Sequence, residues 1–137
     1  MALAERRAIA LFQKEKLDNY LDKINQIVGG KITLEINWEQ MNVDDTAHFI
    51  QDTLVYNFFD PLIYALQQVC IDDFGKEAIL TQIKKIVLQN SVSNSPLFNA
   101  LSYADSILII DVSPQYQPSN VNDWNQVLST FIESNLK

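Results

Sequence analysis

Apolar and polar residues alternate without a fault in KITLEINW, residues 31–38: Ile32, Leu34, Ile36 and Trp38 on one side, Lys31, Thr33, Glu35 and Asn37 on the other. A period of two with one wet side predicts a strand covered on one face, the usual pattern of antiparallel sheets. Upstream the period changes. Leu3, Ile9, Phe12, Leu17, Tyr20, Leu21, Ile24, Ile27 and Val28 fall mostly at three- and four-residue steps, and Gly29-Gly30 closes the run. This predicts one amphipathic helix over 2–28, about 40 Å long.

After EQMNVDD (39–45) the helical period returns, with Asp44 or Asp45 placed to cap a helix N-terminus. Pro61 should interrupt that helix, because it has no N–H and collides with the carbonyl four residues back. Yet Leu54, Val55, Phe58, Phe59, Leu62, Ala65, Leu66 and Val69 keep one arc at 100° per residue on both sides of it, while Asp52, Asp60, Gln67 and Gln68 fall outside. The expectation is a single helix over 45–71, kinked near Asn57 to Pro61.

In IDDFGKEAILTQIKK (71–85) Asp73 is the expected N-cap of a further helix, with Lys84 and Lys85 complementing the dipole at its end. KKIVLQNSV (84–92) can continue that helix or form a strand, and its β-branched residues favour the strand from Lys85. SNSPLFNALSYADS (93–106) reads as a polar connection. SILIIDVSP (106–114) reads as a buried central strand. PQYQPSN (114–120) is a Pro-rich link ending in Asn120, an N-cap with Asp123 at the third helical position. The helix that follows puts Val121, Trp124, Val127, Leu128, Phe131 and Leu136 on one side. The fold class expected is α+β: a small antiparallel sheet of about three strands, helices on one face, and a long N-terminal amphipathic helix ahead of it. With no Gly-rich linker, residues 1–137 are expected to form one domain, in which 1–30 either covers the sheet of the 31–137 core or protrudes to pair with a second copy or another protein.

Charge changes the picture more than composition does. The net charge is −7, with the excess in the middle: residues 31–75 hold eight acidic residues against Lys31 alone. Nucleic acid is thereby an improbable partner, since phosphate affinity comes from Lys and Arg. The apolar patch near the N-terminus is too short to span a bilayer, so no membrane association is expected and the cytoplasm is the default location. The single cysteine, Cys70, cannot form an internal disulfide.

Candidate chemistry is thin. His48 and Cys70 are the only histidine and cysteine, and on one helix they would stand about 33 Å apart along the axis, too far for a nucleophile and its base. Both read as packing residues. No calcium loop, zinc ligand set, nucleophile elbow, phosphate-cradling loop or dinucleotide fingerprint occurs, so neither a metal nor a cofactor is expected. The leading functional reading is a non-enzymatic interaction module, of the inhibitor, immunity or adaptor kind, that presents Asp44, Asp45, Asp52, Asp60, Asp72 and Asp73 to a basic partner. Two alternatives stay open. One is a small-molecule enzyme using scattered carboxylates, or His48 with residues from the sheet; the other is a ligand carrier with Phe49, Tyr56, Phe59 and Tyr64 lining a pocket between helix and sheet.

Overall fold

The protein was analysed as a computed structural model, which describes residues 3–43, 45–91, 100–113 and 121–137. Helices α1 (Leu3–Glu15) and α2 (Leu17–Val28) precede strand β1 (Thr33–Ile36) and the short α3 (Trp38–Met41). Next come α4 (Ile50–Leu54), a π-helical turn (Val55–Phe59), α5 (Asp60–Val69) and α6 (Asp73–Gln82). Strands β2 (Lys85–Gln89), β3 (Leu101–Ala104) and β4 (Ile107–Asp111) lead to the last helix, α7 (Val121–Asn135). The fold is α+β, with a four-stranded sheet and helices on one face.

The sheet order is β1-β2-β4-β3. Only β3 and β4 are antiparallel; β1 pairs with β2, and β2 with β4, in parallel. The expected all-antiparallel sheet is corrected on this point. Alternation in β1 reports that one face is wet, and here a mixed sheet has that property because its helices all lie on one side. Leu34, Ile36, Ile86, Leu88, Leu108, Ile110, Leu101 and Tyr103 turn toward the helices, while the other face carries half-buried Val87, Ile107 and Ile109 between polar ends. One end is the Lys85–Glu35 ion pair at 3.3 Å, and the other joins Asp111 to Gln89 Nε2 at 3.0 Å and to the Ser91 hydroxyl.

Strand β3 lies inside the segment expected to be a connection. Its turn explains the miss: Asp105 and Ser106, with φ of 54° and 65°, join β3 to β4 in a two-residue hairpin turn of left-handed backbone without any glycine. At 85–89 the structure has the strand rather than helix, so α6 stops at Gln82 and Lys84 and Lys85 do not end a helix. The expected Asn120 cap and Pro-rich link lie outside the described residues.

The N-terminal helix is not continuous. At Lys16, φ −124°, the chain bends; Phe12 and Tyr20, two turns apart, come within 6.1 Å ring to ring, and both pack on Phe59, at 5.6 Å and 4.9 Å. In a straight helix those two residues would be separated by about 12 Å along the axis. Ile9, Phe12, Ile24 and Val28 are thereby buried in the same core as Leu62, Leu108 and Trp124.

The kinked helix is present, with a cause for its kink. Asp60 N–H reaches back five residues to Val55 O, widening the helix by one residue just before Pro61. The carbonyl that an N–H at position 61 would bond belongs to Asn57, and it accepts the Trp124 indole N–H at 3.0 Å. Asn57 Nδ2 donates to Ser113 O at 3.3 Å, beyond the end of β4. The helix begins at Ile50 rather than 45, because Asp45 takes a left-handed turn, φ 65°, and Thr46 O receives the N–H groups of Phe49 and Ile50.

Candidate functional site

The six aspartates proposed from the sequence do not form a cluster. Asp44 lies outside the described residues. Asp45 and Asp52 are exposed near the start of the helical run, and Asp60 sits on α5 beside α2. Asp72 and Asp73 are exposed beyond its far end, roughly 30 Å from Asp52 along the axis. Partial desolvation raises the Asp60 carboxyl above the usual range, with Lys23 pulling it back, and a charged Asp60 helps raise the phenol of Tyr20 after burial itself. Asp72 has a structural duty. It, not the expected Asp73, is the N-cap of α6, its Oδ1 accepting the Gly75 N–H at 2.9 Å.

His48 is exposed in the turn before α4, its ring edge-on to Phe49 at 4.6 Å. Cys70 is a buried free thiol at the far end of α5, and the run between them never folds back. Burial pushes the thiol pKa up, Lys76 offsets part of this, and Asp72 adds to it. The four aromatics proposed for a pocket do not converge: Phe59 is buried in the stack with Phe12 and Tyr20, while Tyr56 is exposed. Among the described residues, no group of three His, Cys, Asp or Glu is placed to hold a metal ion. No helix among them is long and apolar enough to cross a membrane.

What the structure adds is the corner between α5 and α6. Ile71 and Phe74 are 80% and 84% exposed, the two most exposed large apolar side chains described, and they flank Asp72-Asp73. A depression of about 300 Å³ lies against them, walled by Gln68 and Val69 of α5, Ala78 of α6, Glu133 of α7, and Leu136 and Lys137 just past its end. Its far wall is tied down: Gln82 Nε2 donates to Lys137 O at 2.7 Å and Lys137 N–H to Gln82 Oε1 at 2.9 Å. Gly75 permits the corner, because α6 starts against the Val69 carbonyl. The sequence carried one sign of this site, two apolar residues bracketing two acids outside the arc of the preceding helix, but a cap alone accounted for the acids. Neither known protein families, characterised proteins nor solved structures match the chain.

Proposed function

We propose that this chain is a protein-interaction module rather than an enzyme, and that it takes a basic protein partner at the Ile71–Phe74 corner. The observation that carries the reading is the pair of exposed apolar side chains set on either side of two carboxylates, beside an open depression. Large apolar residues left in water cost solubility unless a surface covers them. Protein interfaces are centred on such anchors with a polar rim, and here the rim holds three acids, Asp72, Asp73 and Glu133, beside Lys137. The charge balance of residues 31–75, eight acids to one lysine, supplies a field that favours approach of a positive surface.

The test is a photo-reactive side chain placed at Phe74, cross-linked in the native source, followed by reconstitution with the captured protein. The reading expects a basic protein whose association slows as ionic strength rises past about 0.15 M, where the Debye length is about 8 Å. Capture of an acidic protein, or association indifferent to salt, overturns it.

A further inference from the structure

Strands β1, β2 and β4 run parallel, and their carboxyl ends meet at one edge of the molecule, the place where open parallel sheets hold ligands. Helix α3 starts directly there. Asn37 N–H donates to Leu88 O at 2.9 Å, and its Oδ1 caps Gln40 N–H at 3.1 Å. Asn90, just past β2, then clamps Gln40 twice: its N–H to Gln40 Oε1 at 2.9 Å and its Nδ2 to Gln40 O at 3.2 Å. A short helix is thus fixed rigidly beside α1.

Between α1 and α3 lies an open depression of about 290 Å³, lined by Arg6, Ile9 and Gln13 on one wall and Trp38, Glu39 and Asn42 on the other. It shares no residue with the Ile71–Phe74 corner. Arg6 and Glu39 face the same space yet form no ion pair with each other. Asn42 Oδ1 is a buried acceptor without a partner, as are Asn90 Oδ1 and Glu5 Oε2 nearby, neither of which lines the depression. All three atoms are closed to solvent, so the polar groups that the depression itself offers are Arg6, Gln13 and Glu39.

We infer that this depression binds a small zwitterion of the α-amino-acid class. Arg6 offers the forked donor geometry that carboxylates fit. Glu39, exposed on the opposite wall, accepts from an ammonium group, and Trp38 and Ile9 supply an apolar wall for the side chain. The volume is at the lower end for ligand sites, which suits a small molecule. This binding is independent of the protein partner proposed above.

The two indoles make the test direct, because Trp124 is fully buried on Asn57 O while Trp38 lines the depression. The twenty protein L-α-amino acids are titrated singly into the ¹⁵N-labelled protein. At least one should shift the Trp38 indole signal saturably, with a half-point below about 5 mM, and leave the Trp124 indole in place. For that amino acid, the analogue lacking its carboxylate and the one lacking its amine should each bind at least about tenfold more weakly, as should Arg6→Gln and Glu39→Gln. The two variants change exposed side chains, and the two analogues probe the unaltered protein. No saturable Trp38 shift from any of the twenty by about 5 mM overturns the inference, as does binding indifferent to loss of either charge.

Discussion

A Cβ at Gly75 would stand 1.7 Å from the Val69 carbonyl oxygen and 2.7 Å from its carbon, and both are backbone atoms of the preceding helix end. No side-chain adjustment relieves such a contact. Gly75→Ala should therefore cost at least about 2 kcal/mol, read as a lower urea midpoint, although alanine is otherwise the better helix former; an unchanged midpoint would mean that α6 does not start against α5. Asp60 shows a different residue-scale effect. Its carboxyl is raised by partial desolvation, so the protonated form is favoured by folding: the stabilising contribution is present below the ordinary carboxylate value and is lost as pH rises through the raised one. Asp60→Asn should accordingly gain in melting temperature relative to the parent as pH increases from about 3.5 to 6, and a constant difference across that range would contradict the assignment. Ile71 and Phe74 are where sequence reading fell short at this scale. A helical arc places residues within a helix, but 71–72 link two helices, and only the angle between α5 and α6 decides which side chains of IDDF reach water.

At the scale of elements, the phase of the aromatic helix on both sides of Pro61 was legible because burial against one core imposes one arc on both halves. The π turn was not, since it is held by partners far along the chain: Trp124, and Ser113 through Asn57. Pro61→Ala should be nearly neutral, within about 0.5 kcal/mol, because the new N–H meets the second lone pair of the Asn57 carbonyl and gains only a bond shared with the Trp124 indole. Trp124→Phe should cost about 2–4 kcal/mol, as it removes buried volume and leaves that carbonyl without the indole donor. Equal costs for the two changes, in denaturant titrations, would refute this account of the kink. The strands divide in a similar way. β1 and β4 announce themselves by alternation or by a solid apolar run, whereas β3 is hidden by a hairpin turn with Asp-Ser where glycine would have marked it. Strand direction is a property of how the chain crosses over, and alternation along one strand is silent about it. The bend at Lys16 is likewise set by Phe59, whose ring draws Phe12 and Tyr20 together.

In the whole molecule the helices occupy one face of the sheet, and the acidic residues are spread, with Asp52 and Asp60 on the long helical run and Asp72 and Asp73 beyond its end. On the proposed function, the acidic excess of residues 31–75 steers a basic partner without fixing where it lands. The proposed anchor is the corner beyond α5, where Ile71, Phe74, two aspartates and the tied chain end past α7 meet. On this proposal the exposed apolar residues Ile71 and Phe74 serve binding and not the fold. The most direct measurement is the dissociation constant of the reconstituted complex for Phe74→Ser beside the parent, with the melting temperature of each protein alone. The account predicts affinity weakened at least about tenfold, as for a hot-spot side chain, and a melting temperature unchanged or slightly higher. Equal affinity, or a loss of affinity that only tracks a loss of folded protein, would contradict it.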